Sequence, residues 1–340
     1  MKPITKKQSR YRPLLFLFFG LLAMMAVGTV CSLKWGQTYV SWRTLYEAVT
    51  YQGSEKAHLY IQTLRLPRAL MACLVGMQLA LAGLLTQLTT KNPLASPHVF
   101  GINAGAALAV VAGLVLLPQS HGGNLGLIGL AFAGATLGAV LVWSLAGSGS
   151  KQYVFIALAG ITIHFLMSSL TEGLIILNQA ATDSIMFWLV GSLTHAAWTE
   201  VRVILPFFVG GIALFVFMLP SLKLLLLDDE MASGLGQRIL IVRGVSMVLV
   251  IVLAGSAVAL CGPIGFICLL VPHIARELVG GSLNVLAPVT ALLGGVLLVF
   301  ADFVSRFLAF PYESPVGIVT ALIGAPFFIY LALRMRGVRG

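Results

Sequence analysis

Four ionisable side chains, His164, Glu172, His273 and Asp302, stand inside long apolar runs of this chain. Ionisable groups at such places mark function by default, as a proton relay, an ion site or the wall of a substrate path. Asp302 precedes Arg306 by four residues, the favourable order for an ion pair on one helix face. That spacing reads as a carboxylate positioning an arginine, not as a proton carrier. Glu172 lies near the end of its run, within reach of water. His164 is mid-run, where it either lines a pathway or bonds a neighbour. His273 follows Pro272 and invites a metal or proton-relay reading, but only Glu277 stands near it and no H-E-x-x-H pair exists. It fits a capping or hydrogen-bonding histidine. Cys31, Cys73, Cys261 and Cys268 are scattered without a C-x-x-C pair, which removes zinc and redox motifs and leaves packing. No G-x4-G-K-[ST] phosphate loop occurs. The chain is therefore expected to be no enzyme and to hold no metal or cofactor of its own.

The elements that position these residues are membrane spans. The 340 residues are 59% hydrophobic and 9% charged, against about 25% charged in soluble domains. A spanning helix needs ~20 apolar residues, and about ten transmembrane helices are expected, in one all-α domain over residues 1–340. The runs cover 14–33, 69–90, 99–118, 125–145, 153–177, 203–219, 239–260, 264–279, 286–308 and 316–333. Alternating ten-residue strands do not recur, which argues against a barrel. Runs three to five are rich in Gly and Ala, so tight helix packing is expected there. The first run lacks an Ala-x-Ala end and reads as a retained helix.

Charge sets the topology. Basic residues at both termini place both in the cytoplasm, which requires an even number of spans. Ten spans put 14 of the 21 Lys and Arg inside. The net charge of +10 is then a topology signal, and no basic cluster belongs to a nucleic-acid-binding domain. Lys34, Arg65, Arg68 and Arg306 are among the seven that fall outside.

Local motifs punctuate the runs. Arg65-Leu-Pro-Arg68 stands at the outer entrance to the second run, where arginines alone could simply snorkel to headgroups. Asn92-Pro93 starts a tight internal turn after it, and Asn103 follows at the head of run three. Within residues 178–202 the stretch 185–190 is a candidate re-entrant or interfacial helix. Residues 221–238 form the largest internal loop, with Asp228-Asp-Glu-Met-Ala-Ser-Gly-Leu-Gly236; on composition alone it is a solvated acidic loop. Gly236 is placed to end a helix there. Pro263 and Pro272 are expected to bracket the eighth run and leave a short, tilted or broken helix.

Taken in order, Gly83, Asn92-Pro-Leu-Ala, Trp188 with Gly191-Ser192, Leu235-Gly236, Gly262-Pro-Ile-Gly, Pro272-His273, Asp302 and Glu313-Ser-Pro-Val-Gly317 resemble the signature of the FecCD-type permease subunits of bacterial ABC importers for ferric siderophores, haem and vitamin B12. The resemblance covers residues 60–335. It implies the type II ABC importer permease fold and a location in the bacterial cytoplasmic membrane. It implies a second permease subunit, identical or homologous, two cytoplasmic ATPases that bind the ATP and Mg, and an extracytoplasmic binding protein. Arg65, Arg68 and Arg306 would receive acidic residues of that binding protein. Asp228, Asp229, Glu230, Ala232, Leu235 and Gly236 would form the coupling helix against the ATPase. Asn92, Pro93, Asn103, Gly160, His164, Glu172, Pro272, His273 and Asp302 are pathway or structural candidates. Similarity around 187–198 and 92–107 favours an iron chelate of the siderophore or ferric-citrate kind as substrate, with vitamin B12 or haem as alternatives. His164 and Ser314 depart from the usual family residues. A secondary transporter using His164, Glu172 and Asp302 as ion sites is the reading from a different class, but the expected inverted repeats with broken helices are not evident.

Overall fold

The computed structural model describes residues 8–36, 39–116, 123–147, 152–177, 182–310 and 312–337. Lys2, Lys6, Lys7, Lys151 and Arg339, counted in the charge split, lie outside the described residues. The chain begins with α1 (Gln8–Lys34), then two short helices, α2 (Trp42–Val49) and α3 (Lys56–Tyr60). A π turn over Ile61–Arg65 leads into α4 (Leu66–Thr90). A 3-10 turn, Pro97–Phe100, precedes α5 (Ile102–Leu116), followed by α6 (Gly123–Ala146), α7 (Gln152–Leu177) and the short α8 (Thr182–Val190). Then come α9 (Trp198–Leu224), the one-turn α10 (Asp229–Gly234) and α11 (Ile239–Val250), which runs through a second π turn into α12 (Ser256–Cys261). The chain closes with α13 (Ile267–Val279), α14 (Leu283–Leu308) and α15 (Val316–Gly337).

Seven helical runs among the described residues are long and apolar enough to cross a membrane, and α5 and α15 are shorter apolar helices. With the 13-residue α13, they correspond one to one with the ten apolar runs of the sequence. The differences lie at the ends. The second run starts far earlier, because α3, the π turn and α4 form one continuous helix over Lys56–Thr90. Pro67 has no N–H to donate to the ladder, and the wide turn sits immediately before it, with Leu66 N donating to Ile61 O. Pro272 does not bracket the eighth run: it lies inside α13, while Pro263 precedes it. Residues 221–224 belong to α9 and not to the internal loop.

The core is built around α4. Nearly all of its residues are buried, with α14, α13, α11 and α9 packed about it. A helix that must meet four others cannot be amphipathic, and its sequence is mostly apolar on every face, with Arg68, Gln78 and Gln87 buried among the rest. Close approach is bought with glycine. A Cβ on Gly76 would lie 2.3 Å from Gly294 O, and one on Gly83 would lie 1.9 Å from Cys268 O. The expected tight packing of the small-residue runs is present in α5 and α6, where a Cβ on Gly105 would lie 2.1 Å from Gly134 O. By contrast α1 and α9 leave most of their apolar surface outward, as lipid-facing helices do.

Candidate functional site

Two polar constellations lie at opposite ends of this bundle. The first gathers the three arginines. Arg68 Nε donates to both oxygens of Asp302, at 2.8 and 3.1 Å, and its Nη1 donates to Glu313. Arg306 Nη2 donates to Asp302 Oδ2 at 2.7 Å, so one carboxylate bridges two guanidinium groups. The i,i+4 pair read from the sequence is therefore formed, and Asp302 also holds Arg68 across helices. Arg306 Nη1 donates to Ser32 O at 2.8 Å, and Arg65 Nη1 donates to Leu33 O and Lys34 O at 2.6 and 3.1 Å. Those carbonyls are the last of α1, left without intrahelical donors and carrying the negative end of its dipole.

The arginines were expected to present themselves outward, but Arg65 is 3%, Arg68 8% and Arg306 3% exposed, and Asp302 only 1%. Internal carboxylates and carbonyls draw them in, because an ion buried without such partners would be untenable. They remain at the wall of an open cavity of about 340 Å³ lined also by Gly36, Tyr60, Leu64, Thr194 and Glu313. The short α8 ends beside it. Gly317 N donates to Gly191 O at 3.1 Å and Ser192 N donates to Cys261 O at 2.8 Å. A Cβ on Gly317 would lie 1.8 Å from Val190 O, so α8, α12 and α15 meet backbone to backbone.

The second constellation surrounds α10. Asp229 accepts from Lys91 Nζ at 2.8 Å and from Arg243 Nη2 at 3.0 Å. Lys91 Nζ also donates to Leu227 O. Partial burial pushes the Asp229 carboxyl up, but the two cations outweigh it and hold the group below the usual carboxylate range. Gly236 follows the helix at φ +84°, with Gly236 N donating to Ser233 O and Gln237 N to Ala232 O. This pair of bonds satisfies the end of α10 as a Schellman motif, and the left-handed φ is why glycine stands there. Ala232 is buried against its own chain, contrary to its expected place on the coupling surface. The exposed apolar pair is Met231 of α10 and Leu235 at its C-cap, one helical turn apart. Asp228 and Glu230 are exposed beside them.

The other candidates are dispersed. Asn92 Oδ1 accepts from Leu94 N at 3.0 Å, the expected turn, with Pro93 exposed beside it. Val99 O packs against Gly160 of α7. Asn103 and His98 are bonded at 3.3 Å. His164 and Glu172 are both exposed on α7, whereas Asp302 is buried between its two arginines, so the three do not form one ion site. His273, one residue past Pro272 in α13, faces Phe327 of α15 edge-on at 6.0 Å. No group of three or more His, Cys, Asp or Glu that could hold a metal occurs among the described residues.

Sequence reasoning missed Glu313, Ser32, Lys91 and Arg243 as members of these networks. A signal existed: each is a polar residue at or inside the end of an apolar run, where a charge needs a partner. The partner's identity lay up to 245 residues away.

The sequence profile of the FecCD transport family matches residues 23–334. The chain is 43% identical over 335 residues to the Fe(3+)-citrate import system permease protein YfmD of Bacillus subtilis (strain 168), covering 98% of this chain and 99% of that one. It is 39% identical over 305 residues to the Fe(3+) dicitrate transport system permease protein FecD of Escherichia coli (strain K12), covering 90% and 94%. A solved metal-chelate type ABC transporter in an inward-facing conformation superposes with a TM-score of 0.81 at 29% identity, covering 94% of this chain and 99% of that one.

Proposed function

The chain belongs to the FecCD transport family, and from that premise we propose that it is the membrane-spanning permease subunit of an ATP-driven importer that passes an iron chelate of the citrate or siderophore class across a bacterial cytoplasmic membrane. The observation that carries the substrate class is the end-to-end 43% identity with a relative named for Fe(3+)-citrate import. A second permease subunit, identical or homologous, completes the pathway, and two cytoplasmic ATPases drive it.

Two features of the geometry support this reading of the partners. The ATPase meets α10 through Met231 and Leu235, with Asp228 and Glu230 at the rim. Asp229, held by Lys91 and Arg243, ties α10 to the ends of α4 and α11. A push on this short helix is thus transmitted to the most buried helix of the bundle, which is how a rigid-body displacement travels through packed elements. The binding protein meets the opposite end. Its carboxylate enters the arginine cavity, where Arg65 and Arg306 line the wall and Glu313 competes for Arg68. Guanidinium forks fix the orientation of a carboxylate as well as its affinity. In this reading the α10 end and both termini face the cytoplasm, and the arginine cavity faces outside.

The test is reconstitution of the permease with its ATPase and binding protein in proteoliposomes, followed by uptake of radiolabelled ferric citrate. The proposal expects uptake that needs both ATP and the binding protein. Uptake driven by an ion gradient without ATP would overturn the class. ATP-driven uptake of cobalamin or haem in place of ferric citrate would overturn the substrate.

A further inference from the structure

The segment between α4 and α5 enters the bilayer without forming an α-helix. Two close approaches fix its depth. A Cβ on Gly160 of α7 would lie 2.0 Å from Val99 O, and one on Gly138 of α6 would lie 2.5 Å from Gly101 O. Gly160 is eight residues past Gln152, where α7 starts, and Gly138 is eight before Ala146, where α6 ends. Those two helix ends are joined by a short connection and share one face of the membrane. At about 1.5 Å per residue, both contacts lie about 12 Å below that face, in a hydrocarbon core about 30 Å thick. The 15 residues of α5 cover the remaining depth.

Irregular backbone at this depth is tolerated only where protein buries it or water lines it. His98 is exposed on this segment. Its Nε2 lies 3.3 Å from the Asn103 amide nitrogen. With the amide donating, Nε2 accepts and the proton of a neutral imidazole sits on Nδ1. His164, one turn beyond the Gly160 that meets Val99 O, is also exposed. Two imidazoles and an amide within the hydrocarbon core would be costly against lipid tails. They are also too few to hold an iron ion, and a chelated ion already has its ligands.

We propose that His98, Asn103 and His164 form a polar station on the wall of the translocation pathway, where their hydrogen-bond donors take the outer oxygens of an anionic chelate in passage. This deepens, and rests on, the reading of the chain as an iron-chelate permease. The station assigns a role to His98, which no motif singled out, and decides the open choice for His164 in favour of the pathway.

The first test does not depend on transport. Cysteines are placed singly at His98 and His164 in a chain freed of its four native cysteines, in native membranes opened to both faces. A charged methanethiosulfonate should label both sites, whereas a cysteine replacing Phe16 or Phe19 on the outward face of α1 should not react. Absence of labelling at both sites overturns the proposal. The second test is ferric citrate uptake in proteoliposomes. His98→Ala with His164→Ala should lower the uptake rate about tenfold with ATP hydrolysis unchanged, and His98→Gln with His164→Gln should recover much of the rate. Uptake within twofold of wild type in the double alanine variant overturns the station while leaving the permease reading intact. Wild-type proteoliposomes that take up no chelate, alongside full labelling, overturn the permease reading instead.

Discussion

Replacing Asp302 by Asn should damage the protein more than any other single change in the arginine network. The described cluster holds three cations, Arg65, Arg68 and Arg306, and two anions, Asp302 and Glu313, a sum of +1. Asp302→Asn raises that sum to +2. It removes the carboxylate that accepts from two guanidiniums at 2.7 to 3.1 Å while itself 1% exposed. Removing one partner of a buried pair costs about 3–5 kcal/mol, because the other charge is left uncompensated. In a chain of this size the loss should appear as a fall on the order of 5–10 °C in the melting midpoint. Glu313→Gln should cost less, since Glu313 is 19% exposed on its side chain and, among the described residues, forms an ion pair with one guanidinium, that of Arg68, where Asp302 bridges two. The assay is thermal loss of monodisperse protein in detergent. Adding Arg306→Leu to Asp302→Asn should recover part of the loss, since it removes an uncompensated charge, and the cycle of four proteins isolates the pair's coupling. An Asp302→Asn variant that melts within about 2 °C of wild type, or below which Glu313→Gln falls, would refute the claim that Asp302 is the keystone of the cluster.

Three further outcomes are expected. Gly83→Ala should prevent stable accumulation, since its methyl would meet Cys268 O at 1.9 Å, whereas Gly129→Ala, with nothing within 4 Å, should express normally; quantitative blots of membranes decide. Met231→Asp with Leu235→Asp should uncouple ATP hydrolysis from uptake or release the ATPase, as read by paired assays in proteoliposomes, and unchanged uptake would make α10 a mere connection. The tie between α10 and α4 should fail on acidification: the carboxyl of Asp229 is held below its ordinary value, so its contribution is present above the unfolded value and is lost as pH falls through the folded one. Asp229→Asn should therefore flatten the acid limb of the stability profile, and an unaltered limb would remove Asp229 from it.

Span number was legible because the hydrocarbon core imposes a length on every crossing helix, and leucine-rich runs advertise it. Span ends were less legible, since a helix stops at a specific hydrogen bond and not where apolarity fades. The helix ending at Thr90 begins at Lys56, through a polar stretch that hydropathy assigns to a loop. It persists because Gln62 Nε2 donates to Ala48 O and Trp198 Nε1 donates to Gln62 O, contacts that no local pattern announces. The same asymmetry holds for the sites. Asp302 and Arg306 could be paired from their spacing, but Arg68 joins them across 234 residues. Which side of α10 faces outward was misread at Ala232, because a six-residue helix carries too little sequence to show a periodic face. That side is decided by what the helix packs against: Ala232 turns inward, so Met231 and Leu235 are left outside. A reading of such a chain therefore gains most from asking, for each charge at the end of an apolar run, which opposite charge at the same membrane face has no partner yet. Applied here, that question pairs Arg68 with Glu313 and Asp229 with Lys91, because each anion stands at the face where its cation lies.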